Sequence, residues 1–160
     1  MKKIIVLIAV VVLGNTVYAQ SIPKWKITDL ENYIENCNRP VIINFWATFC
    51  QPCLKEIPYF ISQVKKHEKD SIAFLLVSLD LEDYYPDKIK NYAASKKFNV
   101  PIVWLNETNA DYFCPLVDES WSGAIPASLF INNKTGYRRF FEEEITEEKL
   151  EAEIVALIKL

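Results

Sequence analysis

From residue 20 onward, apolar positions fall alternately at helical spacing and in short unbroken runs, a pattern that predicts alternating helices and buried strands. Thr28-Asp29-Leu30-Glu31 fits a capping box, in which Thr28 and Glu31 satisfy each other's free backbone N–H groups. Leu30, Tyr33, Ile34 and Cys37 then follow at helical spacing, and Asn38-Arg39-Pro40 ends that helix. Residues 41–46 are apolar except for Asn44, which suits a strand buried on both faces. A helix starting near Cys50 carries Leu54, Ile57, Phe60, Ile61 and Val64 inward, with Lys65, Lys66 and His67 at its C-terminal end. Pro58 lies inside it and is expected to kink it.

The second half continues in the same alternation. Residues 72–79 predict another buried strand, closed by Asp80. Residues 86–98 predict a helix with Pro86 in its first turn, and 100–105 an extended segment. Residues 109–116 predict a short helix stopped by Pro115. Residues 127–131, a turn at 132–136 and a partner strand at 137–141 form a hairpin. Thr146 caps a last helix carrying Leu150, Ile154, Leu157 and Ile158. Strand–helix–strand with a right-handed parallel crossover, then hairpin–helix, predicts a sheet with helices on both faces.

The N-terminus has a different pattern. Lys2 and Lys3 precede an apolar run from Ile4 to Leu13; Gly14-Asn15-Thr16 breaks it, and Val17-Tyr18-Ala19 supplies small residues for cleavage. The run is shorter than the roughly 20 residues of a membrane-spanning helix. Residues 1–19 are therefore expected to be a cleaved signal peptide and 20–160 one domain, with an uncleaved membrane anchor as the alternative. Gln20 follows the cleavage point, so no lipid-bearing cysteine is expected there. The formal charge is −3 and becomes more negative without the two lysines. No basic cluster is interleaved with aromatics, which excludes a nucleic-acid binder.

Four cysteines in an exported chain need separate readings. Cys50 follows a buried strand and begins a helix, so it stands at the carboxyl edge of the sheet, where the helix's free N–H groups and positive dipole end stabilise a thiolate. Three residues of helix return Cys53 to the same face, within reach of a disulfide. Cys50 is then the attacking thiolate and Cys53 the resolving thiol. Pro52 sits where a missing N–H costs nothing, and neither Gln51 nor Pro52 carries charge, which leans toward a reducing couple. Cys37 is expected to be a buried structural thiol, far from Cys50 at the other end of the sheet. Cys114 is expected to be packed, although it precedes the segment around Pro126 and could approach the active face. A Cys37–Cys114 bridge stays open as an alternative. His67, the only histidine, reads as a solvated helix terminus.

The stretch Asn44-Phe45-Trp46-Ala47-Thr48-Phe49-Cys50-Gln51-Pro52-Cys53-Leu54-Lys55-Glu56-Ile57-Pro58 resembles the active-site segment of thioredoxin-like proteins, most of all the exported TlpA/ResA branch. Gly123-Ala124-Ile125-Pro126 resembles that family's cis-proline loop. The resemblance implies an α/β, thioredoxin-like fold with a central mixed β-sheet and helices on both faces. It implies an oxidoreductase that reduces protein disulfides in the periplasm or extracytoplasmic envelope, often in cytochrome c maturation, with electrons from a membrane thiol donor. It further implies a monomer with no cofactor beyond the redox-active Cys50–Cys53 disulfide.

Residue by residue, the resemblance gives Trp46, Gln51, Pro52, Ile125 and Pro126 to substrate binding, with the Ile125 backbone open to pair with an extended substrate. Trp46 matches a tryptophan packed behind the site, and Trp121 reads equally as groove or core. The chain departs from thioredoxin itself at two positions: Asn44 stands where a buried aspartate belongs, and Leu76 near where its lysine partner belongs. Glu56 resembles a glutamate that handles protons in the exported branch. If buried, its pKa rises and it can take the Cys53 proton; otherwise it is a solvated surface carboxylate. The competing function is a copper or zinc protein using the same two thiols. A non-catalytic interaction domain is the third reading, against which the helix-start position of Cys50 speaks.

Overall fold

The computed structural model describes residues 21–159; the expected signal peptide at 1–19 lies outside them. The helices are α1 Ile27–Asn36, α2 Gln51–Lys66, α3 Asp87–Ser95, α4 Ala110–Val117 and α5 Glu147–Ile158. The strands are β1 Lys24–Trp25, β2 Val41–Trp46, β3 Ala73–Ser78, β4 Ile102–Leu105, β5 Ala127–Asn132 and β6 Tyr137–Phe141. Among the described residues, the strands form one mixed sheet in the order β1-β4-β3-β2-β5-β6. β1, β4, β3 and β2 pair in parallel, and β5 turns antiparallel to both β2 and β6.

Period-two alternation on β2 splits the core in two. Ile42 and Trp46 face one layer with Cys53, Ile57 and Phe60 of α2, Ile89 of α3, and Leu150, Ile154 and Leu157 of α5. Val41, Ile43 and Phe45 face the other layer with Ile27, Leu30 and Ile34 of α1 and with Phe113 and Val117 of α4. Every residue of β2, β3 and β5 is buried, which is why these strands read as continuous apolar runs. Helices thus cover both faces, the expected α/β architecture.

Several boundaries differ from expectation. α1 starts before Thr28: Asp29 accepts the Lys26 N–H at 2.8 Å, and Glu107, from a distant loop, accepts the Ile27 N–H at 3.0 Å. The capping contact thus falls on Lys26 and Asp29 rather than on Thr28 and Glu31, and a remote carboxylate, Glu107, adds to it. Cys37 falls just outside α1, so it is half-buried rather than enclosed. α3 is shorter than 86–98, because Lys97 takes a left-handed φ of 59° and turns Phe98 into the core against Trp46. α2 carries Pro58 on its exposed face, where water can replace the hydrogen bond its ring removes. Pro115 lies within α4 instead of stopping it. The two-residue strand β1 is too short to show in any periodic pattern.

Candidate active site

β2 ends at Trp46, and four residues later Cys50 becomes the N-cap of α2. The Cys50 N–H donates to the Ala47 carbonyl at 3.0 Å, closing the turn, and the Cys53 N–H donates to Cys50 Sγ at 3.3 Å. Cys50 and Cys53 form a disulfide with their Cα atoms 5.3 Å apart. Cys50 is the outer sulfur, at 7% exposure against 0% for Cys53. Gln51 and Pro52 are exposed beside it, and Phe49 projects into solvent at 57% exposure.

Asp80 fixes the approach to Cys50. Its carboxylate accepts from the Thr48 N–H at 3.0 Å, the Thr48 hydroxyl at 2.6 Å and the Ser78 hydroxyl at 2.8 Å. Trp104 Nε1 donates to the Asp80 carbonyl at 2.7 Å. The sequence marked Asp80 only as the end of a strand; its part in the site depends on a partner 32 residues away. Asp80→Ala leaves several buried donors unmatched, so it is expected to lower stability by roughly 2–4 kcal/mol, measured by urea unfolding.

Behind the disulfide lies a small polar network. Glu56 is fully buried on α2, one helical turn after Cys53. Asn44 Nδ2 donates to Glu56 Oε1 at 2.8 Å and to Ser128 Oγ at 2.9 Å, and the Ile145 N–H donates to Glu56 Oε2 at 2.8 Å. Burial pushes the Glu56 carboxyl up to about 7; the hydrogen bonds from Ile145 and Asn44 oppose this, and the nearby Glu144 charge adds to it. The alternative of a solvated surface carboxylate does not hold. Leu76 lies directly opposite Asn44 on β3 and brings no charge to this network.

The second wall is the Ile125–Pro126 segment, whose peptide bond is cis. Phe45 of β2 pairs with Ala127 of β5, so Pro126 lies level with the end of β2 and the preceding loop runs beside the Cys50 turn. Pro126 is buried and Ile125 half-buried. Gly123, at φ 97°, makes the turn, and a Cβ there would stand 3.6 Å from Cys114 Sγ. Cys114 therefore packs under this loop, and burial pushes its thiol up to about 11, with Glu142 and Asp111 adding to the effect. Cys37 and Cys114 are both free thiols, so the bridge between them is not formed.

The two tryptophans need correction as substrate contacts. Trp46 is wholly enclosed, edge-on to Phe98 at 5.7 Å between ring centroids. Trp121 is nearly so, packed on Phe45 at 4.5 Å, with its Nε1 donating to the Ala124 carbonyl at 2.9 Å. Both shape the walls from behind. His67 ends α2 and pairs with Asp70 at 3.0 Å. Among the described residues no cluster of three or more His, Cys, Asp or Glu side chains is placed to hold a metal ion.

Sequence reasoning also missed Glu142. It accepts from the Ser122 N–H at 3.1 Å, the Ser122 hydroxyl at 2.5 Å and the Ala124 N–H at 2.8 Å. Burial alone would raise its pKa, but the hydrogen bonds from Ser122, Ala124 and Gly123 outweigh that and hold it below the ordinary carboxylate value. No local motif announces it, because its partners lie 18 to 20 residues upstream.

The AhpC/TSA family model matches residues 18–136, most of the chain. The chain belongs to the AhpC/TSA family. Among curated relatives of this thioredoxin-like family, the sporulation thiol-disulfide oxidoreductase A of Bacillus subtilis is 30% identical over 101 residues, covering 63% of this chain and 58% of that protein. The chain thus matches less than two thirds of that relative's length. The thiol-disulfide oxidoreductase ResA of Bacillus thuringiensis is 25% identical over 133 residues, covering 81% of this chain and 72% of the relative. A thioredoxin-related protein from Neisseria meningitidis serogroup B superposes with a TM-score of 0.64 at 26% identity, covering 78% of this chain and 89% of the other.

Proposed function

We propose that the protein is a thiol–disulfide oxidoreductase that reduces protein disulfides outside the cytoplasm through the Cys50–Cys53 couple. The observation that carries this reading is the placement of the Cys50–Cys53 disulfide at the N-terminus of α2 beside the cis Ile125–Pro126 segment. The likeness to thiol-disulfide oxidoreductases of Bacillus supports the reaction class.

In the reduced protein the Cys50 thiolate attacks one sulfur of a substrate disulfide. A mixed disulfide forms, and the departing substrate sulfur leaves as a thiolate that takes a proton from solvent. Cys53 then loses its proton, its thiolate attacks Cys50 Sγ, and the second substrate sulfur departs as a thiolate. The substrate gains two electrons and the protein ends in the disulfide form. The α2 N-terminus stabilises the Cys50 thiolate. Glu56, whose carboxyl is pushed up to about 7 by burial, receives the Cys53 proton. The half-buried Ile125 leaves its backbone to pair with an extended substrate segment, and the exposed Gln51 and Pro52 border that segment.

Export rests on the pattern of residues 1–19, and among the described residues no helix is long and apolar enough to cross a membrane. The resemblance to the ResA-type branch makes apocytochrome c the first substrate to try, a membrane thiol protein the electron donor and a monomer the working form. The test is stoichiometric: the pre-reduced protein should reduce one disulfide of a polypeptide per molecule and end with Cys50 and Cys53 joined. A protein that instead purifies with bound copper or zinc and transfers no electrons is the metal-binding alternative.

A further inference from the structure

The loop that precedes Pro126 is held from three sides. Beneath it, Cys114 Sγ lies in van der Waals reach of Gly123. From within, Trp121 Nε1 ties the Ala124 carbonyl at 2.9 Å, and the Trp121 ring is wedged among Phe45, Phe113 and Phe140. From outside, Glu142 gathers the Ser122 hydroxyl and the Ser122 and Ala124 N–H groups on one carboxylate oxygen, with its second oxygen 3.2 Å from the Ser122 nitrogen.

Glu142 is delivered there by strand register. Phe141 of β6 pairs with Ser128 of β5, so the next residue, Glu142, emerges beside Ala127 and the end of the cis-proline segment. The carboxylate faces an arc of backbone N–H groups that would otherwise hold water or a passing anion. Among the described residues the Ile125 backbone makes no hydrogen bond, whereas Ser122 and Ala124 on the same loop are engaged. The loop therefore spends its donors on Glu142 and keeps only Ile125 for an incoming strand.

We propose that Glu142 is a positioning residue for substrate binding: it locks residues 122–124 so that the Ile125 backbone is presented to an extended polypeptide. This rests on the disulfide-reductase reading above. Without the latch the two N–H groups and the Ser122 hydroxyl turn to water and the loop must be reordered each time a substrate strand binds, a cost that falls on polypeptide binding. A small disulfide that meets only Cys50 does not use the loop.

Two substrates separate these effects: the intact disulfide of an insulin-type polypeptide, and the small aromatic disulfide dithiobis-nitrobenzoate. Glu142→Gln and Glu142→Ala are expected to raise KM for the polypeptide by about tenfold, since hydrogen bonds to a charged group are lost. The kcat at saturation, the rate with the small disulfide and the reduction potential should stay within about twofold. An unchanged polypeptide KM, or equal slowing with both substrates, overturns the latch. Ser122→Ala, which removes only the hydroxyl donor, repeats the test should either Glu142 variant fail to fold. A parent protein that reduces neither substrate contradicts the functional reading itself, so the two failures are distinguishable.

Discussion

Cys53→Ser is expected to abolish turnover, by at least about a thousandfold, and to leave the protein covalently joined to its substrate. Cys50 is the outer sulfur and retains both its position as N-cap of α2 and its access to solvent in this variant. It still attacks a substrate disulfide and forms the mixed disulfide. Serine cannot resolve that intermediate, because a hydroxyl at neutral pH is not a nucleophile toward sulfur. Non-reducing electrophoresis of the variant incubated with a disulfide-bonded polypeptide should show a band at the summed mass that dithiothreitol removes. Cys50→Ser should show no such band, since the remaining thiol at 53 is fully buried. Trapping by Cys50→Ser and not by Cys53→Ser would reverse the two assignments.

The second large effect belongs to Glu56. Glu56→Gln keeps the side chain's size and one carbonyl acceptor but removes the carboxylate proposed to take the Cys53 proton. Turnover at pH 7 is expected to fall about a hundredfold, the lower end for loss of a general base. The parent rate should rise with pH through about 7 as Glu56 ionises, and the Gln variant should lose that rise. Stability changes in the opposite sense. Because the folded pKa lies above the unfolded one, folding is favoured by protonation of Glu56: this contribution is complete below about 4.5 and is lost as pH rises through about 7. The loss approaches roughly 3 kcal/mol. Urea unfolding of the oxidised protein should therefore show Glu56→Gln gaining on the parent between pH 4.5 and 8. A constant difference across that range would mean that Glu56 titrates normally.

The parts of the fold that could be read from sequence are those whose physics is local. β2 and β3 are continuous apolar runs because both faces are covered, and α2 and α5 carry their apolar stripes at helical spacing. The Cys50–Cys53 pair was legible because strand end, N-cap and helix follow one another along the chain. The rest depends on residues far apart. The start of α1 is set by Asp29 together with Glu107, the latter 80 positions from the backbone N–H it accepts. Asp80 and Glu142 look like ordinary surface acids in sequence, and only the crossover and the hairpin bring them to Thr48 and Ser122. Ser128 lies on a buried strand with nothing to mark it, yet it completes the Asn44–Glu56 network from 84 positions away. Trp46 stands next to the site along the chain, and the alternation of β2 sends its ring into the core behind it, as expected of a tryptophan packed behind the site but not of a substrate contact; for Trp121 the core reading is the one that holds.

The direction of electron flow is the central claim, and the reduction potential of the Cys50–Cys53 couple tests it most directly. The protein would be equilibrated with dithiothreitol or glutathione buffers and the free thiols at these two positions counted. A potential near or below about −250 mV is the result this account predicts, that of a reductase requiring a dedicated electron supply. A potential between about −120 and −180 mV would contradict it and make the protein an oxidase or isomerase of disulfides.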